Sequence, residues 1–111
     1  MPLTVKKQGE KLVASIRGDI DHHSALALRN AIDEAISRFR SKTLVLDFSE
    51  VTFMDSSGVG LVLGRYRNIC AYGGELELRG LSLRHMKIMK LSGIEKIAKI
   101  KGGEENVKAA K

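Results

Sequence analysis

The residues best placed to do chemistry are Asp55, Ser56 and Ser57, which stand directly before a run with helical periodicity. A carboxylate at that position accepts hydrogen bonds from the unpaired N–H groups that open a helix. A hydroxyl in the first turn lies in the positive field of the helix dipole, where an added phosphate is stabilised by about 0.3–1 kcal/mol. Ser56 is thus a candidate phosphate acceptor, with Ser57 its competitor, because the sequence alone does not fix which hydroxyl points outward.

The helix that follows, as far as about Tyr72, carries Gly58, Gly60 and Gly64. Each interior glycine costs about 0.8–1 kcal/mol relative to alanine, so something must offset a loss of ~2–3 kcal/mol. Val59, Val62, Leu63, Tyr66, Ile69 and Cys70 recur at helical spacing and are expected to form the buried stripe. Ser57, Gly60, Leu61, Gly64 and Asn68 then fall on another face, poor in side chains. Close packing within the domain would explain the glycines. So would a partner's backbone approaching a flat surface with Leu61 as apolar anchor.

A second polar group, Asp19, Asp21, His22 and His23, precedes Ser24. These are metal-ligand types, but adjacent histidines seldom hold one ion, and turn and capping roles fit better. A serine hydrolase would need a base and an oxyanion hole beside Ser56 or Ser57, and the Gly-x-Ser-x-Gly elbow is missing. Gly58, Gly60 and Gly64 also echo a dinucleotide fingerprint with Glu77 beyond. That motif wants its first glycine directly after a strand, whereas Ser49–Ser57 are expected to intervene. His85, on a later helix, is expected at the surface.

The elements that position these residues follow from the hydrophobic pattern. Leu3–Lys7 and Lys11–Arg17 form a hairpin about Gly9, and Leu12, Ala14 and Ile16 mark its buried face. Gly18–His23 is a polar connection, Ser24 an N-cap, and Ala25 to about Arg40 a helix. Thr43–Phe48 is a nearly continuous apolar run, suited to a central strand. Glu75–Arg79 alternates as a strand, Ser82–Leu91 is a third helix, and Ser92-Gly93-Ile94 ends it with a left-handed glycine and an apolar residue packing back. Ile97–Ile100 is a last strand and Glu104–Lys111 a short helix or frayed tail. The order β-β-α-β-α-β-α-β-α predicts an α/β fold, a mixed sheet of four to five strands flanked by about four helices, in one domain spanning 1–111.

Composition narrows the function classes. The chain has 111 residues, a single cysteine and a formal net charge of +6. That length suits one domain with one core. Cys70 can form no internal disulfide and is expected to be a reduced core residue, consistent with a cytoplasmic protein. No segment approaches the ~18 apolar residues of a membrane span. The cations of the C-terminal third, Arg84, Lys87, Lys90, Lys96, Lys99 and Lys101, are spaced like the wet side of amphipathic elements. An RNA-binding α/β module is the alternative they suggest, although no aromatic residues interleave for base stacking.

Three stretches resemble a known family: Gly18-Asp19-Ile20-Asp21-His22-His23-Ser24-Ala25, Leu46-Asp47-Phe48 and Phe53-Met54-Asp55-Ser56-Ser57-Gly58-Val59-Gly60. They are similar to the STAS-domain anti-sigma factor antagonists, in particular those of sporulation, and the likeness extends to Leu91-Ser92-Gly93-Ile94. The resemblance implies a STAS-like fold and a binding protein with no catalytic activity and no cofactor. It implies that Ser56 is phosphorylated by an ATP-dependent partner that is both serine kinase and anti-sigma factor. The unphosphorylated form would bind that partner and free the sigma factor, and a serine phosphatase would regenerate it. Asp21 would face the kinase beside Asp55, Ser57, Gly58, Gly60, Leu61 and Gly64. No DNA or membrane partner is expected, and the free chain is expected to be a monomer.

Overall fold

The computed structural model of the chain describes residues 2–101. Five strands form one sheet in sequence order. Strands β1 (Leu3–Gln8) and β2 (Lys11–Ile20) are the antiparallel hairpin, and β2, β3 (Thr43–Met54), β4 (Glu75–Arg79) and β5 (Lys99–Lys101) run parallel. Helices α1 (His22–Phe39), α2 (Ser56–Ala71) and α3 (Leu83–Leu91) connect them, with a 3-10 turn over Ile94–Lys96. The fourth helix or tail expected over 104–111 lies outside the described residues.

The core follows from alternation. Leu12, Ala14 and Ile16 of β2, Leu44, Leu46 and Phe48 of β3, and Leu76 and Leu78 of β4 form one continuous face. Against it pack Leu28, Ile32, Ala35 and Ile36 of α1, Leu61, Val62 and Ile69 of α2, and Met86 and Met89 of α3. Gly93 adopts φ 77° and Ile94 behind it is fully buried, as the glycine cap requires.

Two strands are longer than their composition suggests, and the excess positions the site. β2 continues through Gly18–Ile20 and β3 through Ser49–Met54, and they pair as Gly18↔Val51, Asp19↔Phe53 and Ile20↔Met54. Small and charged residues there read as loop because this ribbon is partly solvated. The pairing shifts register between Ser15 and Arg17 and between Gly18 and Asp19, and such irregularities re-aim a strand's end. The extension leaves only Asp55–Ser57 between the end of β3 and Gly58, so the spacing objection to a nucleotide fingerprint weakens. What argues against that use is Gly58 itself, which is buried against Met54 with its N–H already donated to the Asp55 carbonyl at 3.0 Å.

The helix starts also differ from expectation. α1 begins at His22, and its cap is Asp21 rather than Ser24: Asp21 Oδ1 accepts from the His23 and Ser24 backbone N–H groups at 2.9 and 3.0 Å. Ser24 occupies the third helical position, and its Oγ accepts from the Asp21 N–H at 3.0 Å, completing a capping box. Serine is the less usual partner there, which hid the box.

Candidate functional site

The β2–β3 ribbon delivers two helix N-termini to one end of the sheet. The Asp55 N–H donates to the Ile20 carbonyl at 3.2 Å, so the residue after β3 is tied to the end of β2, one residue from the Asp21 cap. Asp55 caps α2 as expected, Oδ1 accepting from the Ser57 N–H at 2.7 Å. Ser56 is the first helical residue and its side chain is exposed, whereas Ser57 is half-buried. The hydrogen bond from the Ser24 N–H, joined by that from His23 and outweighing some desolvation, holds the Asp21 carboxyl below its ordinary value, so the cap is ionised at neutral pH.

Beside the two caps, α1 and α2 enclose an open groove of about 710 Å³. From α1 it takes His22, His23, Leu26 and Arg29, and from α2 Ser57, Gly60, Leu61, Gly64 and Arg65. The structure changes the expected picture of α2. Its buried face is Gly58, Leu61, Val62, Arg65 and Ile69. Of the expected stripe, Val62 and Ile69 are buried, while Val59, Leu63 and Tyr66 are only partly buried against the core and Cys70 is exposed, so the buried arc is turned toward Leu61 and Arg65. Leu61 is 3% exposed and forms the groove floor, so it is not a protruding anchor. Gly58 is buried against Met54 and Ile20 and does not line the groove, so it serves close packing. Gly60 and Gly64 differ: a Cβ on either would meet nothing within 4 Å. No neighbour among the described residues demands those two glycines, and they leave the groove side of α2 bare.

Two further expectations are corrected. Cys70 is exposed rather than part of the core, because the buried arc turns away from it. His85 is buried rather than at the surface, and its Nδ1 has no hydrogen-bond partner among the described residues.

Behind the groove lies an ion pair that the sequence did not disclose. Arg65, its side chain 7% exposed, has its Nε 2.8 Å from Asp33 Oδ1 on α1. Asn68 Nδ2 donates to the same oxygen at 2.7 Å. Burial lowers the Arg65 pKa, offset by Asp33 and reinforced by Arg29, so a single carboxylate compensates a guanidinium sealed between two helices. Leu26 stands 55% exposed on the α1 rim. His22, Leu26 and Arg29 recur at steps of four and three, a helical signal that would have found this face had α1 been started at His22.

The arrangement suits docking rather than turnover. His22 and His23 share the groove with Ser57, yet among the described residues no hydrogen bond joins either ring to either serine. No group of three or more His, Cys, Asp or Glu that could hold a metal occurs among the described residues. No helix there is long and apolar enough to cross a membrane.

A family model described as "Mlab, STAS domain" matches residues 3–101. The chain is 37% identical over 95 residues to the anti-sigma F factor antagonist of Paenibacillus polymyxa, covering 86% of this chain and 81% of the relative. It belongs to the STAS-domain anti-sigma factor antagonist family. The anti-sigma-B factor antagonist of Bacillus subtilis (strain 168) is 29% identical over 101 residues, 91% of each chain. The solved structure of the anti-sigma factor antagonist SpoIIAA in its unphosphorylated form matches with a TM-score of 0.76 at 32% identity, covering 97% of this chain and 95% of that one. The structure of the Bacillus cell fate determinant SpoIIAA in the phosphorylated form matches at 0.70 and 32%, covering 98% and 99%. The STAS fold of this chain is thus a regulator's fold, and its relatives are named as antagonists, not enzymes.

Proposed function

We propose that this STAS domain, unphosphorylated, docks on an anti-sigma factor with ATP-dependent serine-kinase activity and so frees a sporulation sigma factor. Phosphorylation of Ser56 ends the complex, and a serine phosphatase restores the docking form. The observation that carries this reading is the exposed Ser56 side chain, at the first helical position, next to a groove whose α2 side is bare at Gly60 and Gly64. A phosphate there is favoured by the helix dipole and leaves the fold intact. It also adds about −1.5 to −2 charges one residue from Ser57, which lines the groove. Two like unit charges 4 Å apart repel by about 4 kcal/mol at an effective dielectric of 20, so a partner carboxylate facing the phosphate would weaken the complex a hundredfold or more.

Asp55 holds Ser56 in place through the cap, and Asp21 supplies a second carboxylate at the same end of the sheet. The family relationship supports the partner class, since the relatives are named antagonists of anti-sigma factors, and SpoIIAA has been solved both with and without phosphate. Intact-mass measurement after incubation with the cognate kinase and ATP tests the site. One added phosphate that disappears in Ser56→Ala and persists in Ser57→Ala is expected; a phosphate retained by Ser56→Ala moves the site elsewhere.

A further inference from the structure

Helix α3 turns three side chains, His85, Met86 and Met89, into the core. Its outward side, taken in order around the helix, reads Lys90, Leu83, Lys87, Leu91, Arg84. Leu83 is 59% exposed and Leu91 81%. Neither lines the groove beside Ser56, and none of Arg84, Lys87, Lys90 or Lys96 takes part in an ion pair among the described residues. From Gly80 to Lys101 the only acidic residue is Glu95. Two exposed leucines set among three cations that make no ion pair with the described residues form a patch that the fold itself does not use.

We infer that this face of α3 adsorbs to an anionic lipid surface. The cations meet lipid phosphates, the leucines enter the boundary between headgroups and acyl chains, and the long lysine stems reach back to the interface. Charge complementarity selects an anionic partner, and the leucines select among anionic partners. A nucleic-acid backbone has nothing for two aliphatic side chains to bury against, and no aromatic ring lies on this face to stack on bases. A bilayer accepts protruding leucines without a matching recess, which a folded acidic protein would have to supply. With a few cations and two leucines the contact is reversible. The expectation of no membrane partner rested on the missing apolar span, and adsorption needs no span. Because no residue of α3 lines the groove beside Ser57, lipid contact and the phosphate switch are expected to act independently.

Co-sedimentation of the full chain with large unilamellar vesicles tests the inference, comparing phosphatidylcholine alone with mixtures containing phosphatidylglycerol. Retention is expected only with phosphatidylglycerol, falling as salt is raised. Lys87→Glu reverses a charge and should weaken retention about thirtyfold. Leu83→Ser with Leu91→Ser should weaken it about tenfold or more, with the melting temperature unchanged because both side chains are exposed. Ser56→Glu should be retained like the parent chain, which separates this test from the phosphate switch. Retention equal on both vesicle types, or none on either, overturns the inference. So does retention indifferent to the leucines and matched by binding to single-stranded RNA, which would assign the cations to polyanions in general.

Discussion

Arg65 and Asp33 meet 2.8 Å apart in the seam between α2 and α1, the arginine buried and the aspartate about one-third exposed. Arg65 lines the groove and Asp33 backs it from α1, so the pair sets how the two helices face one another. Removing the aspartate strands a charge that cannot reach water. Asp33→Ala is expected to lower unfolding free energy by roughly 1–3 kcal/mol. Urea denaturation measures it. Arg65→Met, which removes the buried charge instead, should be milder, and the reverse ranking would contradict this account of the seam.

The three glycines of α2 should respond to alanine with opposite signs. A Cβ at Gly58 would run into the Met54 side chain, so Gly58→Ala is expected to destabilise by about 1–3 kcal/mol. At Gly60 and Gly64 the space is open, so alanine should stabilise each by up to about 1 kcal/mol through helix propensity. Those same methyls occupy the bare side of the groove and should weaken docking of the anti-sigma factor. Thermal melts and a binding titration on the same variants separate the two effects.

The groove also shows what the sequence could and could not disclose. The hairpin, the central apolar strand and the Gly93–Ile94 cap were legible because each depends on neighbours in sequence. The Asp55 cap was legible for the same reason. The orientation of α2 was not. Its buried arc includes Arg65, and an arginine is assigned to water unless its partner is known. That partner, Asp33, belongs to another helix, so a stripe centred on Val59 and Tyr66 looked the better amphipathic choice. Cys70 and Leu61 were misplaced by the same rotation. The ends of β2 and β3 were missed because Gly18, Asp19, Ser49 and Glu50 are ordinary loop residues, held in strands here only by pairing across the ribbon.

His85 should make stability depend on pH near neutrality. Burial, with a smaller contribution from Arg84, holds its imidazole below the ordinary 6.5. The folded state therefore binds the proton less readily than the unfolded chain, so stability is complete above pH 6.5 and declines as pH falls below it. His85→Leu should flatten that part of the curve in urea melts collected across this range. A slope unchanged by the substitution would place the titrating group elsewhere.

Glu77 should govern the more acidic limb. Its side chain is 3% exposed on the sheet face opposite the helices, with Lys11 at 3.1 Å, Arg79 at 3.3 Å and Lys101 at 3.8 Å. Burial pushes this carboxyl up, but the Lys11 hydrogen bond, the Lys101 and Lys11 charges and Arg79 together hold it below its ordinary 4.5. Its contribution is thus present above the unfolded value of 4.5 and is lost as pH falls through the lower, folded value. Glu77→Gln should destabilise the protein at neutral pH and reduce the steepness of acid unfolding, with three cations left facing an amide.

The central claim is that a phosphate on Ser56 prevents docking without disturbing the domain. Calorimetric titration of the cognate anti-sigma kinase with the unphosphorylated and the Ser56-phosphorylated chain tests it most directly, alongside a melt of each form. The account predicts at least a hundredfold loss of affinity on phosphorylation and nearly equal melting temperatures. Equal affinity for the two forms, or a phosphorylated chain that binds poorly because it has unfolded, would contradict it.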